Sequence, residues 1–193
     1  HAREQHAKVI AICNTNGATI PRESDAVIYT HAGPEIGVAS TKGFLTQVAA
    51  CYLLGLYLAQ VRGTKYGDEI AAIMGELAAI PPLIQRVLDD IEPIKQLAAK
   101  YADHSSVLFL GRHVGYPVAL EGALKLKEIA YLHAEGFPAG ELKHGPIALV
   151  ENQLPIFVVV PPQGRDQLHD KVTSNIQEVR ARGAFTIVLA EDD

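Results

Sequence analysis

The chain has 193 residues, 48% hydrophobic and 20% charged, which is typical of a globular protein that buries a core. Its 17 basic and 22 acidic residues give a net charge of −5, which argues against nucleic acid as a partner. Two isolated cysteines, Cys13 and Cys51, and the lack of a signal-peptide pattern favour a reducing, cytoplasmic setting. The longest apolar stretch, residues 48–61, is interrupted by Gly55 and Gln60, so it predicts a buried helix and no membrane partner.

Short apolar runs alternate with helical patterns along most of the chain. The predicted strands are residues 9–13, 26–30, 107–110, 156–160 and 185–190. The predicted helices span residues 40–62 (or 41–62), 68–80, 83–102, 116–133 and 165–182, with a break at Pro81-Pro82 and a bend or restart at Pro93. Because alternating strands and helices form right-handed crossovers, the sequence predicts an α/β fold with parallel sheets covered on both faces.

The middle of the chain, residues 63–106, has helical patterns but no predicted strand. We therefore expect it to connect two α/β lobes, residues 1–62 and 107–193. Ligands of parallel sheets bind beyond the carboxyl ends of the strands, where loops enter helices. Two loops, residues 30–41 and 111–115, lie at such ends and are candidate binding segments.

The helix predicted over residues 116–133 carries a charged stripe. At about 100° per residue, Glu121, Lys125 and Glu128 share one face, and apolar residues flank that face on both sides. One interpretation is a solvated ladder of weak ion pairs. The other is a functional site, because ions removed from water are costly unless paired or used, and coupled carboxylates and lysines perform acid–base chemistry. The apolar flanks favour the second interpretation, and the pattern alone leaves both open.

Two loops add polar groups. Residues 33–42 (GPEIGVASTK) enter a helix through small residues and two hydroxyls, so Ser40 or Thr41 caps the helix, holds a polar ligand at its N-terminus, or does both. Residues 140–146 (GELKHGP) contain His144, and histidine is the residue type best suited to proton transfer near neutrality. A loop histidine is most often only a surface residue, but His144 follows the charged helix closely.

Neither a metal nor a cofactor is predicted. The remaining histidines show no metal-ligand spacing, and His133 and Glu135 are too close together to form a zinc motif. Residues 111–115 (GRHVG) lack the G-x-G-x-x-G pattern of a dinucleotide site.

Three long motifs, in this order, resemble the isomerase domain of the glucosamine-6-phosphate synthase family, the glutamine–fructose-6-phosphate aminotransferases (isomerizing). They are EIGVASTK at 35–42, ALEGALKLKE at 119–128 and GELKHGP at 140–146, and the similarity extends over nearly the whole chain. The resemblance implies a sugar-isomerase (SIS) fold, three αβα layers with parallel sheets, in two lobes joined by a helical segment. It assigns residues 1–62 to the C-terminal part of the first SIS lobe, 63–106 to the connection, and 107–193 to most of the second lobe.

The resemblance also implies three catalytic residues. Glu128 matches the family's base, which moves a proton between C1 and C2 of the open-chain sugar. Lys125 matches the lysine that helps to bind and polarise the reacting end of the sugar. His144 matches a histidine that assists ring opening and that the family supplies from the neighbouring subunit. Glu121 is expected to have a structural role as a partner of Lys125.

Sugar binding is implied for the loop before the first long helix. Val38 and Ser40 match positions that contact the sugar through the backbone and a hydroxyl, and Ala39 and Thr41 complete the expected substrate-binding set.

The resemblance implies partners as well. In the family, the loops that bind the sugar phosphate precede the part matching residues 1–8, a further active-site lysine follows the part matching residue 193, and a glutaminase domain lies upstream. We therefore expect a fragment that is a poor catalyst alone, with a glutaminase domain in the same polypeptide and a second copy in a homodimer. The implied reaction converts fructose 6-phosphate and glutamine-derived ammonia to glucosamine 6-phosphate. Its place is amino-sugar (hexosamine) biosynthesis, which supplies the UDP-N-acetylglucosamine precursor and the cell wall.

Two other functions remain open. A non-catalytic SIS module that senses a sugar phosphate would tolerate the loss of Glu128 but not of Ser40. An SIS-type deglycase that acts on fructosamine phosphates would need no glutaminase domain upstream.

Overall fold

The computed structural model describes residues 2–164 and 167–191, and the chain divides into two compact units, His1–Ile91 and Glu92–Asp193. The predicted three-part division at residues 62 and 106 stays a prediction.

The first unit contains two short parallel strands and three longer helices. Its elements are a 3₁₀ turn at Arg3–Gln5, β1 (Ile10–Cys13), α1 (Thr19–Glu23), β2 (Ala26–Tyr29), α2 (Lys42–Val61), α3 (Gly67–Ala78) and α4 (Ile80–Asp89). In the sheet, Ile10 of β1 lies opposite Ala26 of β2. Asp25, just before β2, joins the starts of the two strands. Its carboxylate accepts hydrogen bonds from the Val9 N–H at 2.9 Å and the Lys8 ammonium at 3.2 Å, and both of these residues lie just before β1.

The second unit is built on a four-stranded parallel sheet with the strand order β4-β3-β5-β6. Its elements are α5 (Glu92–Tyr101), β3 (Ser106–Gly111), α6 (Gly115–Ala130), β4 (His133–Pro138), 3₁₀ segments at Ala139–His144 and Pro146–Leu149, β5 (Pro155–Val159), α7 (Leu168–Arg180) and β6 (Phe185–Leu189). The parallel α/β class predicted from the alternation of strands and helices is confirmed.

Strand β3 lies at the centre of this unit because both of its faces are buried. Leu108 and Leu110 belong to a core cluster with side chains of β5, α7 and the 3₁₀ segment Ala139–His144. The alternate residues, Val107 and Phe109, pack with the alanines of α6. Since successive side chains of a strand point to opposite faces, β3 anchors two separate cores, one on each side of the sheet.

The helix α6 begins very close to the end of β3. A methyl group on the Cα of Gly111 would lie 2.1 Å from the backbone oxygen of Gly115, the first residue of the helix. Further along, a methyl group on Gly136 of β4 would lie 3.1 Å from the Cα of Leu120. Glycine at these positions lets α6 rest directly on the sheet, so the backbone of β3 and β4 fixes where the helix lies.

Several element boundaries differ from the sequence prediction. Strand β4 was missed, because the helix predicted to run to residue 133 ends at Ala130, where Tyr131 adopts a left-handed φ of 55°. The helix break expected at Pro81-Pro82 occurs at Ala79, between α3 and α4, and both prolines lie in the first turn of α4, where their missing N–H groups cost nothing. The helix predicted from Arg165 begins at Leu168, and Arg165 and Asp166 lie outside the described residues.

Two helical segments, Lys42–Val61 and Gly67–Asp89, are long and apolar enough to cross a membrane by length and composition. This is weak evidence, because the core helices of soluble proteins meet the same criterion. The sequence-based expectation of no membrane partner stays a prediction.

Candidate functional site

The charged stripe on α6 forms a three-membered ion cluster. The ammonium of Lys125 donates to Oε2 of Glu128 at 2.6 Å, three residues further along the helix. It also lies 3.3 Å from Oε1 of Glu121, four residues earlier. The helical spacing therefore brings the three side chains together as the sequence predicted. Their exposed fractions of 21%, 24% and 28% for Lys125, Glu121 and Glu128 show that the cluster is partly withdrawn from water.

The two carboxylates keep Lys125 cationic. The hydrogen bond to Glu128 is the main cause that raises the pKa of the Lys125 ammonium, partial burial opposes it, and the hydrogen bond and charge of Glu121 add to the rise. A lysine held in the ammonium form is a poor nucleophile, since attack requires the neutral amine. Lys125 is suited instead to stabilising negative charge on a bound ligand, next to a carboxylate that can move a proton.

The setting of the cluster differs from the one inferred from the helical wheel. Apolar residues flank the stripe on both sides, which is the pattern of a core-facing side, but the residues of α6 that reach the core are Ala119 and Ala123 on the opposite side. The side chains of the apolar neighbours Leu120 and Leu124 are both exposed at the surface of the second unit. The small alanine side chains let α6 approach the sheet closely, so the wide apolar flanks stay outside. The cluster lies between these two flanks, within an exposed apolar surface.

His144 lies in a short 3₁₀ segment and not in the irregular loop that its glycines and proline predicted. Leu142 anchors this segment in the core, and Lys143 pairs with Glu178 of α7 at 3.0 Å. The Nδ1 atom of His144 lies 2.6 Å from Oε2 of Glu141, and the imidazole is 72% exposed. When Nδ1 donates to that carboxylate, the neutral ring keeps an accepting nitrogen at Nε2. Among the described contacts, none joins His144 to Lys125 or Glu128.

The carboxyl end of β3 carries an arginine whose role the sequence did not reveal. Arg112 Nη1 donates to Oδ1 of Asn175 at 3.5 Å, and Asn175 is buried on α7. A methyl group on Gly140 would lie 3.3 Å from Nη2 of the same guanidinium. Arg112 thus packs between α7 and the 3₁₀ segment that holds His144. A long-range contact of this kind leaves no local sequence signal.

The predicted sugar-binding residues Val38, Ala39, Ser40 and Thr41 all lie in the first unit, between β2 and α2. Val38 is 93% exposed, and Ser40 is half-buried. Helix capping by the hydroxyl of Ser40 or Thr41 was one of the alternatives left open by the sequence, and neither hydroxyl caps the helix. The cap is the carboxylate of Glu35, which accepts from the backbone N–H groups of Thr41 and Gly43. Capping rules that inspect only the residues at the helix start miss a partner six residues upstream.

Within residues 2–164 and 167–191, no group of three or more His, Cys, Asp or Glu side chains is placed to hold a metal ion. The predicted site residues lie in three places, which are the α6 cluster, the His144 pair and the loop before α2. The last of these lies in a different unit from the first two.

A parallel α/β unit whose first crossover helix carries a partly buried carboxylate–lysine pair belongs to the class of open-sheet α/β domains that bind ligands beside helix-forming loops. The SIS domain family matches residues 1–57 and 100–193. The chain belongs to this family.

The sequence is similar throughout to named relatives. It is 70% identical over 193 residues to the glutamine–fructose-6-phosphate aminotransferase [isomerizing] of Streptomyces coelicolor, covering 100% of this chain and 31% of the relative. It is 71% identical over 194 residues to the protein of that name from Corynebacterium diphtheriae, with the same coverage. The chain thus spans less than a third of the length of these curated relatives.

A solved structure shares the fold. The C-terminal domain of glucosamine-fructose-6-phosphate aminotransferase from Francisella tularensis matches with a TM-score of 0.91 and 45% identity, over 97% of this chain and 52% of that chain. The three-layer SIS architecture expected from the motifs is confirmed. The roles of the individual site residues stay predictions.

Proposed function

We propose that this chain is the isomerase part of a glutamine–fructose-6-phosphate aminotransferase (isomerizing), which makes glucosamine 6-phosphate from fructose 6-phosphate and ammonia released from glutamine. The observation that carries the proposal is the Lys125–Glu128 pair at 2.6 Å, partly withdrawn from water on α6. The 70% identity to relatives of that name over all 193 residues supports it.

The proposed chemistry moves one proton between neighbouring carbons. Ammonia condenses with the C2 ketone of the open-chain sugar, water leaves, and an imine forms. The Glu128 carboxylate takes a proton from C1, the electron pair forms a C1–C2 double bond, and the imine nitrogen takes up a proton, which gives an enolamine. The same carboxyl group returns its proton to C2 while the C1 hydroxyl gives up its own proton. An aldehyde at C1 and an amine at C2 result.

Lys125 supplies the electrostatic part of this step. Its ammonium stabilises the negative charge that develops on the C1 oxygen as the enolamine hydroxyl gives up its proton and the aldehyde forms. The raised pKa of Lys125 keeps the ammonium charged throughout the neutral range, and the carboxylate of Glu121 helps to hold it in place. Loss of the Lys125 ammonium or of the Glu121 carboxylate therefore destabilises the transition state more than the ground state.

His144 is proposed to assist ring opening, with Glu141 holding its Nδ1. Its high exposure allows it to reach the site of a second copy of the chain, so we propose a homodimer. Val38, Ala39, Ser40 and Thr41 are proposed to contact the sugar. A glutaminase domain in the same polypeptide, a cytoplasmic location and a role in amino-sugar biosynthesis complete the proposal.

The test is Glu128→Gln in protein of the relatives' full length. We expect kcat for glucosamine 6-phosphate formation to fall by about 10²- to 10⁴-fold, the usual contribution of a general base. Glutamine hydrolysis should continue, since the substitution leaves that chemistry untouched. The matched control is Glu92→Gln, which breaks an exposed Glu–Lys pair with the same spacing of three residues, at 3.3 Å, on α5. It should leave both activities unchanged.

The outcomes separate the alternatives. Near-normal synthesis by Glu128→Gln would refute the assignment of the base. A sensor of sugar phosphates would give a different set of results. The unmodified protein and Glu128→Gln would both bind glucosamine 6-phosphate normally, and neither would synthesise it. Ser40→Ala would abolish binding. If the unmodified protein cleaves fructosamine phosphates without glutamine, it is a deglycase.

A further inference from the structure

The loop between β2 and α2 is closed at its base by two side chains. Oε1 of Glu35 accepts hydrogen bonds from the backbone N–H groups of Thr41 at 2.9 Å and Gly43 at 3.0 Å. The ammonium of Lys42 donates to the backbone oxygen of Pro34 at 2.7 Å. Residues 35–41 are therefore held as a closed loop whose ends are fixed to the first turn of α2.

The carboxylate of Glu35 occupies the space that a side chain at position 43 would need. A methyl group on Gly43 would lie 2.9 Å from Oε2 of Glu35 and 2.8 Å from Oγ of Ser40. Glycine at this position thus lets the carboxylate and the serine hydroxyl meet above the helix start.

The contact with Ser40 fixes the direction of a hydrogen bond. Oγ of Ser40 lies 3.2 Å and 3.1 Å from the two carboxylate oxygens of Glu35. The N–H groups of Gly43 and then Thr41 are the main causes that lower the pKa of the Glu35 carboxyl, so it is ionised at neutral pH. An ionised carboxylate can only accept, and a hydroxyl has one hydrogen to give. Ser40 therefore donates that hydrogen to Glu35, and its lone pairs remain for another partner.

We infer that Glu35 is a positioning residue that makes Ser40 an obligate hydrogen-bond acceptor, so that Ser40 binds a sugar hydroxyl that donates and does not bind a phosphate or ketone oxygen. The inference rests on the proposed function in one respect, because it takes Ser40 as a sugar contact. It goes further by assigning the direction of that contact and the residue that enforces it.

The first measurement needs no change at Glu35. Protein of the relatives' full length is titrated calorimetrically with glucose 6-phosphate and with its monodeoxy and monodeoxyfluoro derivatives at C1 to C4. Fluorine can accept weakly but cannot donate. The sugar position that Ser40 contacts is the one at which Ser40→Ala removes the affinity difference between glucose 6-phosphate and its derivatives. At that position, the deoxy and fluoro derivatives should bind equally weakly. A loss of about three- to tenfold is expected for one hydrogen bond.

The second measurement reverses the direction of the bond with Glu35→Gln. Both backbone N–H groups bind Oε1, so a glutamine can keep them with its carbonyl oxygen and turn its amide NH₂ toward Ser40. The amide then donates to Oγ, which frees the serine hydrogen for the ligand. In this variant the fluoro derivative should bind about two- to threefold more tightly than the deoxy derivative, since a fluorine now meets a donor.

The matched control is Glu69→Gln. Glu69 accepts the Tyr66 N–H at 2.9 Å at the start of α3, so this variant loses the same charge at a helix start without touching the loop. Its binding pattern should be that of the unmodified protein.

Three results would overturn the inference. The first is that the unmodified protein binds the fluoro derivative with full affinity. The second is that no sugar position shows a loss of affinity that depends on Ser40. The third is that a folded Glu35→Gln variant binds the deoxy and fluoro derivatives with the same relative affinities as the unmodified protein. If that variant does not fold, the comparison of deoxy and fluoro derivatives in the unmodified protein still decides the direction. Failure here is separate from failure of the proposed function, because loss of synthesis in Glu128→Gln does not depend on Ser40.

Discussion

Because α6 approaches β3 closely, a methyl group added at Gly111 would come nearer to another atom than one added at any other glycine of the described chain. In Gly111→Ala the new methyl carbon would meet the backbone of the helix start, at 2.1 Å from the oxygen and 2.4 Å from the carbonyl carbon of Gly115. These are backbone atoms, so no side-chain rotation relieves the clash. Restoring an ordinary contact of about 3.4 Å requires α6 to move by roughly 1.3 Å.

That displacement has two measurable consequences. Forcing one extra methyl group into a packed region costs about 1–3 kcal/mol of unfolding free energy. Because α6 carries Lys125 and Glu128, a shift of about 1 Å also misplaces the proposed acid–base pair, which lowers the rate by about 10²-fold. Both effects arise from one backbone contact, so they should appear together.

The assay compares urea unfolding and glucosamine 6-phosphate synthesis for Gly111→Ala and Gly75→Ala. A methyl group on Gly75, in the middle of α3, meets no atom within 4 Å. This control should be stabilised by about 0.5–1 kcal/mol, because alanine is a better helix former than glycine, with unchanged kcat. Normal stability and normal kcat in Gly111→Ala would refute the claim that the β3 backbone positions α6.

Two further predictions concern the first unit and the assembly. The Val9 N–H and then Lys8 lower the pKa of Asp25 below its ordinary 3.8, so its stabilising effect is present above that pH and is lost as the pH falls through the lowered pKa. Asp25→Asn should therefore lower the urea midpoint at pH 7 and have a shrinking effect below pH 3.8; an equal effect at both pH values would contradict this. If His144 acts in the partner's site, co-expressed His144→Ala and Glu128→Gln chains should recover about a quarter of the activity, since half of the random dimers contain one intact site. No recovery despite dimer formation would place His144 in its own subunit's site.

The charged stripe was predictable because it depends only on helical period. Lys125 meets Glu121 and Glu128 through spacings of four and three, which any regular helix provides. The same wheel was wrong about the core-facing side. The depth to which a helix sinks on a sheet depends on alanine side chains and on glycines in the strands beneath, such as Gly136, and these contacts join distant parts of the chain.

The missed strand β4 has a different cause. Its sequence, His133–Pro138, contains a glycine, a proline and two ionisable residues, and none of these favours a strand by local preference. It forms because it pairs along the whole of β3 and buries Ala134. The helix before it stops at Tyr131 without the glycine that usually marks a helix end, so the boundary had no sequence signal either.

The closed loop of residues 35–41 separates two kinds of position. The groups that fasten it are a carboxylate, an ammonium and backbone atoms at its two ends. Between them, the side chains of Ile36 and Val38 are 96% and 93% exposed. Substitutions at these two positions therefore change the surface offered to a ligand and leave the fastening contacts in place. Specificity can thus be altered in this loop without a loss of folding stability.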